Sequence, residues 1–228
     1  MTSRSSSPPV AGATGAPPGD IATLVQQVRD EWQQQTLRKQ HPELEVIPPA
    51  EPVEPLPADL LAGLTRRYTL PPAYQAMLRA IGRRGFSVLP GPFQELIVYA
   101  GPELELAQVG FRGPRPGDDG FVAPHGWRRT WVVIAYDAGD PYFLDVTRVN
   151  RGGECPVWMA MHGTGTWEPR LVASSVAQFL QLLRAWIRAV VPHYDPQNPD
   201  EPLDDAHLRR LTAEITQIDP AATSHWTL

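Results

Sequence analysis

Apolar residues recur along this chain with two periods, and the change of period divides it. Ile21, Leu24, Val25, Val28 and Trp32 share one helical face behind Asp20, a good N-cap, which predicts a helix to about Lys39. Leu60, Leu61, Leu64 and Tyr68 repeat the pattern. After Pro71-Pro72 it resumes through Tyr74, Met77, Leu78 and Ile81 to a glycine stop at Gly82. From residue 95 the period becomes that of strands. "ELIVYA" (95–100) and "LELAQV" (104–109) are expected to be strands joined by a Gly101-Pro102 turn. "WVVIAY" (131–136) is apolar on both pleat faces, as in a central strand covered on both sides. "PYFLDV" (141–146) sets Tyr142, Leu144 and Val146 on one face, Phe143 and Asp145 on the other. The intervening Asp137-Ala138-Gly139-Asp140 suits a hairpin, with Gly139 free to take positive φ and each Asp capping the local backbone. "PVWMAMH" (156–162) alternates again. Ser175 and Gln178 form a capping box for a helix with Val176, Phe179, Leu180, Leu183, Ile187, Val190 and Val191 on one face. A last amphipathic segment follows Asp204 or Asp205. The order of helices, strand meander and helices predicts α+β with an antiparallel sheet.

Composition sharpens the boundaries. The 26 prolines gather at the N-terminus, in 48–57 and in 192–202. Residues 1–19 have almost nothing to bury and are expected to be a disordered tail. Residues 20–55 then read as an N-terminal helix and a Pro-rich connector, 56–191 as the main domain, and 192–228 as an acidic C-terminal extension with a short helix. From Asp195 to Leu228 seven acids face only Arg209 and Arg210, so this segment carries the whole formal charge of -5. The balanced remainder offers no basic footprint for nucleic acid. No apolar run approaches membrane-spanning length, and the start lacks the apolar core of a secretory signal. The single Cys155 fits a reducing compartment, so a soluble, cytoplasmic, monomeric protein is expected.

No enzyme motif assembles. His125, His162, Cys155 and Asp145 lack metal-ligand or nucleophile spacing. "GTGT" (163–166) lacks the Gly-Lys-Ser/Thr ending of a phosphate loop. Asp137, Asp140 and Asp145 have neither base nor nucleophile beside them. Neither catalytic, cofactor nor metal-binding residues are therefore expected. Seven tryptophans remain to be accounted for. Trp131, Trp158 and Trp167 are expected to anchor the sheet core. Trp127, Tyr142 and Trp167 are the aromatics most expected at the surface, where Trp and Tyr serve as binding hot spots.

"LPPAYQAMLRAIG" (70–82), "WVVIAYDAGDPYFLDV" (131–146) and "CPVWMAMHGTGTWEPRLVASSVAQFLQLL" (155–183) follow one another as in the SUKH superfamily, which includes the fungal Smi/Knr-type cell-wall regulators. The chain resembles that family over about residues 56–191. It departs from it where Pro72-Ala73 replaces the usual acid after Leu-Pro, and where "GRRG" replaces Asn-Gly-Gly. The resemblance implies a curved antiparallel sheet covered by N- and C-terminal helices. It also implies a bacterial immunity protein that neutralises a cognate toxin, a nuclease or deaminase domain, by binding and occlusion. A regulatory scaffold of the Smi/Knr type is the alternative, with the Pro-rich 48–57 as an extended ligand. The expected contributors to partner binding are Trp127, Asp140, Tyr142, Asp145, Trp167, Asp204 and Asp205, with the acidic end suited to a basic toxin.

Overall fold

The computed structural model of the chain describes residues 20–111, 126–162, 166–198 and 203–227. The expected N-terminal tail, His125 and most of the 112–126 loop lie outside the described residues. In chain order the elements are α1 (Ile21–Gln40), α2 (Ala58–Tyr68), α3 (Pro72–Ile81), β1 (Phe86–Val88), β2 (Leu96–Val98), α4 (Gly101–Ala107), β3 (Trp131–Asp137), β4 (Asp140–Asp145), β5 (Val157–Ala160), β6 (Pro169–Ala173), α5 (Val176–Val190), α6 (Asp205–Ile218) and α7 (Thr223–Trp226). The six strands form one antiparallel sheet in the order β1-β2-β3-β4-β5-β6. Packed with seven helices, this is the expected α+β class.

One expected strand is a helix. Alternation predicts a strand over 104–109, yet α4 begins at Gly101-Pro102. Proline at a helix start has its φ preset and loses no bond for want of an N–H. The Glu103 carboxylate accepts the Ala100 N–H at 3.0 Å and so caps the turn. Leu104 is buried while Leu106 is 73% exposed, so the alternation is that of one short helical face.

The two ends of the chain join the same core. Ile21, Leu24, Val25 and Val28 of α1 pack with α3 and α5 residues, and Leu211, Ile215, Ala222 and Trp226 belong to the same cluster. Polar contacts fix the register of α1. Buried Glu31 accepts Arg184 Nε at 3.3 Å, and Arg184 also donates to Gln27 at 3.0 Å. Ser175 accepts the Gln178 N–H at 3.1 Å, as a cap should, but the reciprocal half of the box is absent. Gln178 Nε2 donates to the Ile218 carbonyl instead, tying α5 to α6. The Glu154 carboxylate takes the Val176 N–H at 2.9 Å.

A bulge in β3 sorts the sheet's two faces. Its register against β4 shifts between Val133 and Ala135. Ile134 and Ala135 consequently both join the helix-side core, whereas Val133 joins a second, smaller cluster. Strand β2 ends before β3 does, and β3 backbone groups beyond it need partners. The Gln108 side chain supplies them, accepting the Val133 N–H at 3.0 Å and donating to the Val133 carbonyl at 2.8 Å.

Candidate functional site

Pleating assigns Phe143 of β4, Trp158 of β5 and Leu171 of β6 to one face, since they are direct cross-strand partners. Ile97 of β2 pairs with Tyr136 of β3 on that same face, because Leu96 and Val98 point into the helix-side core. Helices α5 and α7 cover the other face. On this one an aromatic cluster takes their place. Trp127, Trp131, Val133, Phe143 and Ala160 are buried there, with Tyr99, Phe111, Trp158 and Trp167 packed half-buried around them. Trp131 and Phe143 stack with centroids 4.3 Å apart. Trp127 sits in the middle, 5.2 Å from Trp131, 4.4 Å from Phe111 and 5.6 Å from Trp167. Two cations lie on the outer indoles: Arg128 Cζ is 5.5 Å from the Trp131 centroid and Arg148 Cζ 5.0 Å from Trp158. The buried indole nitrogens of Trp127 and Trp158 have no hydrogen-bond partner among the described residues. Ile97, Leu106, Val109 and Val149 are exposed apolar residues.

A second constellation is the β3–β4 corner. Ala138 and Gly139 have φ of 51° and 100°, the positive values of a type I′ hairpin turn. The flanking aspartates cap neighbouring segments, not their own turn. Asp137, fully buried, accepts the Phe93 and Gln94 N–H groups at 3.0 and 2.8 Å. Burial pushes its carboxyl up against the opposing pull of those bonds, and the nearby Asp140 charge adds to the rise. Asp140 accepts the His162 N–H at 2.7 Å and meets His162 Nδ1 at 2.6 Å. A Cβ on Gly139 would lie 2.8 Å from the His162 ring, so the ring packs directly on the turn. Two His–carboxylate pairs in the described residues meet at 2.6 Å, this one and His207 with Asp204. Cys155 joins neither: its thiol donates to the Asp145 carbonyl at 3.2 Å, and burial pushes its pKa up to about 12. Among the described residues no group of three or more His, Cys, Asp or Glu could hold a metal ion.

The expected contact residues scatter. Trp127 and Trp167 meet in the aromatic cluster, with Trp167 half-buried at its edge. Two exposure expectations fail. Trp127 is only 7% exposed, because its ring plugs the centre of that cluster, and Tyr142 is fully buried under α5 and α7. The Tyr142 hydroxyl lies 3.0 Å from His225 Nε2. Burial, with Arg170 adding to it, lowers the His225 pKa to about 4. Asp145 is buried and accepts the Thr147 N–H and hydroxyl at 3.2 and 2.7 Å, with Arg148 Nε 3.6 Å away. Asp204 and Asp205 are exposed, and Asp204 is the N-cap of α6, accepting the Ala206 and His207 N–H groups. Its carboxyl is lowered to about 2, first by the His207 N–H and then by the His207 ring. The sequence reading passed over Arg128, Arg148, Ile97, Tyr99 and Phe111. Strand parity would have aligned Ile97 with the cluster, but the stacking of Arg on Trp leaves no sequence signal.

The chain is a single antiparallel meander, helix-packed on one face and bearing a partly buried aromatic cluster on the other. The chain belongs to the SUKH-4 immunity protein family, whose model matches residues 57–227. The match extends past Val191 through α6 and α7. No curated protein matches the chain. Membership implies toxin immunity, with a cognate toxin as partner, in a family that is typically non-catalytic. No helix in the described residues is long and apolar enough to cross a membrane.

Proposed function

We propose that this protein binds a cognate bacterial toxin domain and neutralises it by occlusion, without chemistry of its own. The observation that carries the reading is the family match over residues 57–227. Physical support comes from the half-buried Tyr, Trp and Phe side chains and the stacked Arg128 and Arg148 on one sheet face, the residue types that dominate binding hot spots. Of the residues expected from sequence, Trp167, Asp204 and Asp205 are accessible to a partner. Asp140 holds His162; Trp127 and Asp145 lie buried on the aromatic face, and Tyr142 is buried on the helix side. The toxin is a nuclease or deaminase domain, met in the cytoplasm by a monomer that binds no nucleic acid. The scaffold reading loses its main support because the Pro-rich stretch is tied down. Gln33 Nε2 donates to the Pro48 and Pro49 carbonyls, Arg29 to that of Glu51, and Asp30 accepts the Ala50 N–H.

The test is co-expression with the toxin domain encoded beside this chain. Growth restored by the wild-type chain, with a one-to-one complex on purification, supports neutralisation by binding. Rescue in which toxin activity is unaffected by saturating purified chain would count against occlusion.

A further inference from the structure

We propose that the aromatic-lined face of the sheet is the toxin-contacting surface, and that it receives an extended acidic segment of the toxin whose carboxylate seats on Arg128 and whose apolar side chains run over the outer aromatics toward Ile97. This rests on the toxin-binding reading and reverses its expected electrostatics.

The chemistry of the face is one-sided. Its charged groups over the indoles are the Arg128 and Arg148 guanidinium groups. Asp145, the carboxylate beside Arg148, is buried and already engaged by Thr147 and Arg148. Arg128 is exposed and stacked on Trp131, with no carboxylate partner among the described residues. A guanidinium over an indole retains N–H groups for a carboxylate, which it can bind with two parallel hydrogen bonds. On the same face lie the partly exposed Trp158 and Trp167 and, farther along β3 opposite Tyr136, exposed Ile97. This combination suits a protein segment carrying an acid next to apolar side chains.

In the rival surface, the acidic C-terminal segment, three carboxylates already have partners within the chain. Asp219 is fully buried, accepting Ser174 N at 2.6 Å and Ser174 Oγ at 3.0 Å. Glu214 pairs with Arg188. Asp204 caps α6 and holds His207 at 2.6 Å. Those carboxylates stabilise helix ends and junctions, which leaves Asp205 as the freest described acid of α6.

The probe is the purified toxin domain encoded beside this chain, titrated calorimetrically into the wild-type chain and into Arg128→Glu, Ile97→Glu and the double variant Asp204→Lys/Asp205→Lys. Both single substitutions fall on exposed side chains, and thermal midpoints within a few degrees of wild type establish that each variant is folded. The expected result is a loss of affinity of roughly 30-fold or more for Arg128→Glu and Ile97→Glu. The double Lys variant stays within about threefold, since its charges lie outside the contact. Wild-type binding that weakens with added salt agrees with a charged contact. Tight wild-type binding that Arg128→Glu and Ile97→Glu leave unchanged overturns this assignment while sparing the immunity reading. Failure of the wild-type chain to bind overturns both. Tighter binding of a single-stranded oligonucleotide than of the toxin, abolished by Arg128→Glu, would reassign the face to nucleic acid.

Discussion

The two faces of one sheet are both rich in aromatic residues, and they use them for different ends. On the helix side Tyr142, Phe179 and Trp226 are fully buried, and their polar atoms are paired: Tyr142 with His225, and Trp226 Nε1 with the Val172 carbonyl at 2.9 Å. On the other side Trp158 and Trp167 are partly exposed, and Arg128 lies exposed over Trp131. The buried side gains its stability from apolar area removed from water. Aromatic area left partly exposed beside an exposed guanidinium is available to a second molecule. Substitution on the helix side therefore costs stability, and substitution on the open side costs binding.

The sharpest contrast is between two tryptophans. Trp226→Ala removes a fully buried indole and is expected to cost about 4 kcal/mol, read in a denaturant melt. Trp158→Ala, half-exposed, is expected to cost less than about half of that while impairing toxin binding. Equal losses of stability would erase the distinction between the faces.

Acid should attack the helix side selectively. The His225 pKa falls from 6.5 to about 4 in the folded state, so the ring is kept neutral there. The unfolded chain takes up the proton first. This contribution is complete above about pH 6.5, falls away as the pH drops, and is fully lost below about pH 4, a span of about 3 kcal/mol. In a pH series of melts, His225→Phe is expected to flatten that window without creating a charge. An unchanged slope would argue against a buried, neutral His225.

Two smaller effects probe what holds the open face. Gln108→Leu removes both side-chain bonds to Val133 and should cost about 2 kcal/mol, with faster amide exchange at Val133. Ala138→Asn keeps the positive φ of the turn with a residue that tolerates it. It is expected to raise stability by about 0.5 kcal/mol, seen as a slightly higher midpoint.

Much of this arrangement was legible in sequence because it follows periodicity and capping. α1, α3, β3, β4 and α5 all announced themselves through apolar spacing, Ser175 or the Asp-Ala-Gly-Asp corner. What escaped depended on partners far along the chain. The Leu104-Leu106 alternation mimicked a strand because α4 is two turns long and Pro102 serves equally in a turn or at a helix start. Tyr142 and Trp127 look like surface aromatics until α7 and the cluster are in place. The net acidity of the C-terminal segment hid its part in the core, since Asp219 is a buried acceptor for Ser174 while Glu214 pairs with Arg188 nearer the surface.

The most direct test of the central claim is hydroxyl-radical footprinting of the chain with and without its toxin domain, read residue by residue by mass spectrometry. The account predicts protection of Tyr99, Phe111, Tyr136, Trp158 and Trp167 on binding, with His207 and Leu208 of α6 unchanged. Protection confined to α6, with the open face as reactive as in the free chain, would contradict it.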